Sequence, residues 1–437
     1  MATQTLLRYR YTDQEPLPQT QYNVTGVTFD TANIEVHGSG SDQWPHTWGS
    51  DGNIYMASGD GNGWSAALPY STFIITRVTG ALPPNPAATD VFNSTVADYK
   101  PNGIIGESGG RINVFYDTQD NSDAYDGSWG MYSTNNGVNW TDTDIKLFSR
   151  TSDGAIVVGV AQFGAGYTNV PSHVDPAYFY VYLSGRDDTD IHGPDVWLGR
   201  VLKANIFTRA SYQFYTGLSG GVPQWSSTWA SRVAVFSDPA GMAYHANVVW
   251  DSQIQKFIYA KFHKSGTVWV LCMYTGYYPW GPWTNFYYSS AALPNPTQRK
   301  FTVQTPAKWM GSVSGNQQTI WMTYSGWPEL DSISILPITL SLSTGSALTV
   351  PLSDTWATLG DSFAKSLGGG VTRLGLHVTS AELAVWQTRS TSGPYKSNGD
   401  VSTNSPGDWD RIVSNKNSFE SSPTSGRWAG PTVLSGG

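Results

Sequence analysis

A chain of 437 residues sets 33 acidic against 25 basic side chains, a formal charge of −8 with only 13% charged residues, and without a Lys/Arg cluster to follow a phosphate backbone it is not expected to bind nucleic acid. Aromatic residues make up 14%, including 19 Trp and 24 Tyr, beside 46 Gly and 25 Pro, which excludes a disordered chain and describes short strands joined by many turns. No apolar run approaches the roughly 18 residues a membrane helix needs, the opening MATQTLLRYRYTDQEPL shows no secretory leader pattern, and the single cysteine, Cys272 in WVLCMY, excludes an internal disulfide and reads as a buried strand position.

After a lead-in over residues 1–23, the first strong signal is SDQWPHTWGSDGNIYMASGDGNGW. There Asp42, Asp51 and Asp60 fall nine residues apart among Trp44, Trp48, Tyr55 and Trp64. Acids supply proton transfer or nucleophilic attack, flat aromatic faces stack on sugar rings, and glycines let the backbone turn sharply where the acids emerge, so this segment is the best candidate for a sugar-cleaving site. Asp-Gly and Gly-Asp-Gly are also hairpin-turn chemistry. Asp51, inside Ser-Asp-Gly-Asn, fits a turn best, whereas Asp42 and Asp60 each adjoin an aromatic-rich run whose semi-apolar wall would raise a carboxyl pKa. Asp42 and Asp60 are therefore the catalytic candidates. Trp44, His46, Trp48 and Asp51 are the substrate-binding candidates beside them, with core or rim packing as the competing reading of the aromatic positions.

Further along, NIYMAS and FIITRV read as strands, and Lys100 in DYKPNG and Glu107 in GESGG sit on a turn-flanked segment expected to face the same pocket. RINVFYD, AIVVGVAQF, YFYVYLS and DVWLGRV follow as strands, and LKANIFTRASYQFY is the one predicted helix, over Lys203 to Tyr212. His173 with Asp175 in PSHVDPAY, and His245 with Asn247 in YHANV, precede strands and are candidates to point into a central channel; a structural histidine is the alternative at each. ANVVWD, KFIYAKF, TVWVLCMY, QTIWMTY and ISILPITLSL continue the β pattern, with PWGPWTNFYY read as core and sheet edge. So many hairpins without cross-links favour an all-β closed or radially repeated fold, because an open sheet of this size would leave adhesive edges. A β-propeller over residues 24–342 is the expected architecture, with a jelly roll or sandwich as the competitor. Past a boundary near residue 343, ALTVPL, VTRLGLHV and ELAVWQT suggest an accessory β segment, and the weakly patterned last forty or so residues an extended arm for homo-oligomer or virion assembly. No His/Cys cluster has zinc spacing and no phosphate or EF-hand loop is present, so no cofactor or catalytic metal is expected; a structural Ca²⁺ would leave no trace in the sequence.

Five stretches occurring in order carry a resemblance: SDQWPHTWGSDGNIYMASGDGNGW; PAYFYVYL with DVWLGRVLKANIFTRASYQFYTGL; PQWSSTWASRVAVFSDPAGM; YYPWGPWTNFYY; and WMTYSG with DSISILPITL. Together they resemble the five-bladed β-propeller proteins, once a domain of unknown function, that include endo-D-arabinanases cutting mycobacterial arabinogalactan and lipoarabinomannan. The resemblance implies five blades, a neutral furanose-containing polysaccharide as substrate, and Asp42 in SDQW and Asp60 in GDGNG as the acid pair, one protonating the leaving oxygen and the other acting as base or nucleophile. Two departures from a secreted bacterial hydrolase, the missing leader and the extra C-terminal segment, fit an extracellular or virion-surface depolymerase. A glycan-binding adhesin or tail spike that does not cut is the alternative function.

Overall fold

The computed structural model describes residues 22–344 except 39, 81–82, 84–85, 95–98, 120–124, 187–190, 220, 244, 246, 292–293 and 328–329, together with the backbone at 357–359, 362–366, 372–376 and 385–389. Most of the lead-in at 1–23 and the expected C-terminal arm lie outside the described residues.

Strands begin with β1 (Asn23–Phe29) and β2 (Glu35–His37), followed by antiparallel units in regular succession. The first is β3 (Asp42–Trp48), β4 (Ile54–Gly59), β5 (Ile74–Thr79) and β6 (Ala87–Asn93); the second is β7 (Tyr99–Gly106), β8 (Ile112–Gln119), β9 (Tyr125–Ser133) and β10 (Thr141–Ser149). In the third, β11 (Ile156–Gln162), β12 (Tyr178–Arg186), β13 (Ile191–Leu202) and β14 (Gln213–Ser219) are extended by the short β15 (Val222–Ser226), β16 (Ala234–Ser237) and β17 (Met242–Ala243). The fourth is β18 (Asn247–Asp251), β19 (Lys256–Ser265), β20 (Val268–Tyr278) and β21 (Gly281–Ser289). The last joins β22 (Val303–Gln304), β23 (Met310–Ser314), β24 (Gln317–Ser325) and β25 (Ile333–Ser343) to β1 and β2.

The first strands of these units form a ring: β3 lies against β7, β7 against β11, β11 pairs in parallel with β18, β18 lies against β22, and β22 against β3. This is a β-propeller. β1 pairs with β25 from Asn23↔Ser343 to Phe29↔Ile338, so the start of the chain covers the outer edge of the last sheet and ties the two ends of the domain together. Inner strands read as unbroken apolar runs because both their faces are covered: every residue of β4, β11 and β18 is buried. The outer β10 is open to solvent over most of its length, and only Leu147 and Phe148 in it are buried. Tight sheet-to-sheet approach also demands small residues, as at Gly130, where a Cβ would come within 2.1 Å of the Phe207 ring.

The helix expected over Lys203 to Tyr212 does not form. Two isolated 3₁₀ turns, Lys203–Asn205 and Arg209–Ser211, flank an extended Thr208 (φ −115°, ψ 98°). The apolar spacing that suggested a helix serves a corner instead: Ile206 and Phe207 plug the core, Tyr212 donates to the Ile206 carbonyl at 2.8 Å, and Arg209 is held by Asp153 at 2.8 Å while lying over Phe148. Tertiary burial overrides a weak local preference.

A separate unit over residues 347–437 contains one four-stranded antiparallel sheet, β26 (Ala357–Leu359), β27 (Ser362–Ser366), β28 (Thr372–Leu376) and β29 (Val385–Arg389), in that order.

Candidate active site

The inner strands run in the same direction, so residues at their starts share one end of the ring and residues just past their ends share the other. Asp42 opens β3 and Lys100 is the second residue of β7. β4 runs antiparallel to β3 with Gly59 opposite Asp42, which brings Asp60, the next residue, to the same end. His245 precedes β18 and Asn247 opens it. The structure thus brings Asp42, Asp60, Lys100 and His245 to one mouth of the ring.

Local backbone geometry sets the acids. Gln43 (φ 71°) and Trp44 (φ 69°) are left-handed and coincide with a register shift between Gln43 and His46, so a bulge follows Asp42 directly. Asp60 is left-handed as well (φ 45°). Three of the nine non-glycine residues with positive φ among those described therefore sit at the two acids, where strain is held by the surrounding packing. Gly59 is required for space: a Cβ there would stand 2.9 Å from Asp42 Oδ1 and 3.6 Å from Pro101 Cδ, so Asp42 Oδ1 occupies the gap between the first hairpin and the start of β7.

The environments of the acids differ. Asp42 is 6% exposed, its Oδ1 has no hydrogen-bond partner among the described residues, and its pKa is pushed up to about 8. Burial is the main cause; the charges of Asp60 and Asp331 add to it, against the smaller opposing pull of Lys100 and Arg299. At neutral pH Asp42 carries a proton. Asp60 is about one-third exposed and its Oδ1 accepts from two donors, the buried Lys100 ammonium and the Tyr70 hydroxyl at 3.1 Å. Tyr70 is itself 66% exposed, and Asp60 is one of the causes that lift its phenol to about 12, after burial. The pair is thus a shielded neutral acid beside a carboxylate open to solvent.

Tyr70, Asp331 and Arg299 were not among the residues singled out in the sequence. Asp331 leads into β25, its carbonyl accepts from Gly40 N at 2.6 Å, and its charge reaches Asp42. It opens DSISILPITL, one of the stretches carrying the resemblance, which was the only signal for it. Tyr70 and Arg299 belong to no motif.

The other expected site residues fall elsewhere. Trp44 is 1% exposed; its indole donates to the Ser41 carbonyl at 3.0 Å and its ring meets Trp64 edge-on within an apolar cluster that includes Ile333 and Ile335. His46 is buried within β3, where burial lowers its pKa to about 4, its backbone N donates to Gln304 Oε1 at 3.2 Å and its carbonyl accepts from Gln304 Nε2 at 2.9 Å. It forms part of a polar belt that staples inner strands together: Thr47 donates to Gln162, Gln162 to the Ile104 carbonyl, and Gly106 N to Thr47. Trp48, at the end of β3, lines a small cavity at that end of the ring with Gln162, Gln304 and Pro306. Asp51 caps the β3–β4 turn, accepting from Asn53 N, Asn53 Nδ2 and Tyr55 OH at 3.1, 2.8 and 2.7 Å. Glu107, just past β7, holds Asn113 at 2.9 Å and Arg111 at 3.5 Å. His173, in the connection after β11, stacks on Tyr277 at 3.9 Å with Nε2 at 2.8 Å from the Tyr277 carbonyl. Trp48, Asp51, Glu107 and His173 therefore stand at the far mouth, away from Asp42 and Asp60. His245 and Asn247 are 1% and 2% exposed at the near mouth. Neither amide atom of Asn247 is hydrogen-bonded among the described residues.

No family model and no curated protein sequence matches the chain. Solved structures do. A GH43_1 enzyme from Xanthomonas citri is 11% identical with a TM-score of 0.40, covering 75% of this chain and 94% of its own. An α-L-arabinofuranosidase from Podospora anserina in complex with cellotriose is 12% identical with a TM-score of 0.36, over 73% and 97%. A GH32 β-fructofuranosidase of Bombyx mori is 11% identical with a TM-score of 0.42, over 86% and 78%.

Proposed function

We propose that the chain is a glycoside hydrolase that cuts a furanose-containing surface polysaccharide from within, in the manner of an endo-D-arabinanase, with Asp42 and Asp60 as its acid pair. The observation that carries this reading is the contrast between the acids: Asp42 keeps a proton in a buried pocket while its hairpin neighbour Asp60 presents an oxygen already held by an ammonium and a phenol. Hydrolysis of a glycosidic bond needs those two states side by side. Asp42 donates its proton to the leaving oxygen. Asp60 acts as base on water or as nucleophile, and Lys100 and Tyr70 fix its orientation. Asp331 helps keep the proton on Asp42 by disfavouring a further negative charge nearby. The furanose specificity rests on the ordered sequence resemblance, and a surface polysaccharide as substrate would place the enzyme outside a cell or on a virion, with the C-terminal segment as its assembly element.

Incubation with arabinan and other neutral bacterial surface glycans tests the reading: new reducing ends should form with the wild type and be lost in Asp42→Asn and Asp60→Asn proteins that remain folded. Glycan retention without cleavage, unchanged by either substitution, would instead establish a binding spike.

A further inference from the structure

In the third and fourth sheets, away from the first hairpin that carries the two acids, three side chains from two segments of the chain meet in the interior. Asp238, His263 and Cys272 place one carboxylate oxygen, one ring nitrogen and one sulfur within 4.8 Å of one another. Strand pairing makes the meeting: β19 and β20 are antiparallel with Lys261 opposite Cys272 and His263 opposite Val270, and the segment after β16 delivers Asp238 to them. Cys272 Sγ lies 3.3 Å from His263 Nδ1, and Nδ1 lies 3.7 Å from Asp238 Oδ2. In a tetrahedral zinc site with ordinary Zn–S, Zn–N and Zn–O bonds the N···S edge is about 3.5–3.6 Å and the N···O edge about 3.3–3.5 Å, so these two separations lie within roughly 0.4 Å of a metal's ligand set. The imidazole is also prepared. Tyr288 Oη is 3.0 Å from His263 Nε2, and an Nε2–H donated to that oxygen leaves the Nδ1 lone pair facing the sulfur, the outer-shell support that metal-bound histidines use.

We propose that Asp238, His263 and Cys272 form a binding site for a thiophilic divalent cation of the zinc type, with a solvent molecule as fourth ligand. The cation would compete with a charge already in place. Asp238 now receives a monovalent cation, the Lys261 ammonium, 2.5 Å from Oδ2 and itself anchored on the Gly241 carbonyl at 2.7 Å. A divalent ion that takes the Cys272 sulfur as thiolate releases one proton to solvent and displaces Lys261 from Oδ2, leaving its bond to Gly241 in place. Sulfur and imidazole donors exclude the hard cations Mg²⁺ and Ca²⁺. The wide spacing of positions 238, 263 and 272 hides the set from any motif search, since zinc motifs are recognised by short intervals.

Titration of the full-length, chelator-washed protein with Co²⁺, the spectroscopic stand-in for Zn²⁺, tests the site. The expected result is one Co²⁺ per chain with a thiolate-to-cobalt charge-transfer band, lost in Cys272→Ser and in His263→Gln. Tyr288→Phe should weaken binding roughly 10–100-fold by removing the outer-shell partner. Lys261→Met should lower the Kd by freeing the carboxylate, an effect a purely structural network would not produce. A wild type that develops no such band in excess Co²⁺, or a band that survives Cys272→Ser, overturns the proposal. Because neither readout uses a glycan, the result is independent of the hydrolase reading.

Discussion

At the residue scale the site depends on a disparity between two aspartates eighteen positions apart. Asp42 must be protonated to act as acid, so the rate of glycan cleavage is expected to fall as pH rises through about 8, with the alkaline limb of the pH–rate profile reporting its pKa. Lys100→Met should cut the rate substantially, because Asp60 loses its ammonium partner, and should move the alkaline limb upward, because Lys100 is also one of the two charges that lower the Asp42 pKa. Asp42→Asn should cost about 10²–10⁴ in rate, the usual worth of general acid catalysis. The sequence offered both acids and Lys100 as candidates because they sit in short Gly- and aromatic-rich strings, and the structure places the three at one mouth. Tyr70, Asp331 and Arg299 gave no comparable sign: Tyr70 lies ten residues past Asp60 but in a run ordinary in its local setting, and Asp331 and Arg299 reach the mouth from connections distant in sequence. Asp51 illustrates the converse: its Ser-Asp-Gly-Asn context indicated a turn, and its three bonds to Asn53 and Tyr55 are those of a turn cap at the far mouth.

At the scale of single elements, the β3–β4 hairpin is scaffold and, on the proposed reading, catalytic platform. Its bulge at Gln43–Trp44 and the left-handed Asp60 aim the acids, and Gly59 leaves room for one of them. Gly59→Ala should preserve the fold yet displace the Asp42 carboxyl, lowering activity far more than thermal stability; kinetics and calorimetry on the same protein separate the two. The β1 strand has a different duty. Removing residues 1–29 would bare the β25 edge and take away Val24 and Val27, which pack against the cluster holding Leu340 and Leu342, a loss of at least the ~2 kcal/mol of one buried aliphatic side chain, so a Tm drop of roughly 4 °C or more and a tendency to associate are expected. Elements were legible where periodicity was strong: AIVVGVAQF, TVWVLCMY and ISILPITLSL all lie in strands. The segment Lys203–Tyr212 was misread because a corner that buries Ile206 and Phe207 and a short amphipathic helix leave the same apolar spacing.

For the whole molecule, the buried titratable groups of the ring set how stability varies with pH. Asp42, with its folded pKa raised to about 8, and Asp251, raised to about 6 chiefly by burial, each bind a proton more tightly when folded, so each lowers stability as pH rises from about 4 to its own folded value. His46 and His263, both lowered to about 4 chiefly by burial, act in the opposite sense: the unfolded imidazoles bind the proton more tightly, and stability rises with pH up to about 6.5. The two sets offset each other below pH 6. Between about 6.5 and 8 Asp42 alone remains, and stability should fall by about 1.4 kcal/mol per pH unit. Urea denaturation across that window should show the slope in the wild type and none in Asp42→Asn, which should also be the more stable protein at pH 7.5. The radial architecture could be anticipated from the number of hairpins and the lack of cross-links, whereas the convergence of Asp42, Asp60 and Lys100 at one mouth required knowing that the inner strands run the same way. Everything functional rests on Asp42 holding its proton beside Asp60, and difference infrared spectroscopy of wild type against Asp42→Asn measures that directly. A protonated-carboxyl band that persists at pH 7, vanishes as pH rises through about 8 and is missing from the variant is the expected result; complete ionisation of the Asp42 carboxyl by pH 5 would contradict it.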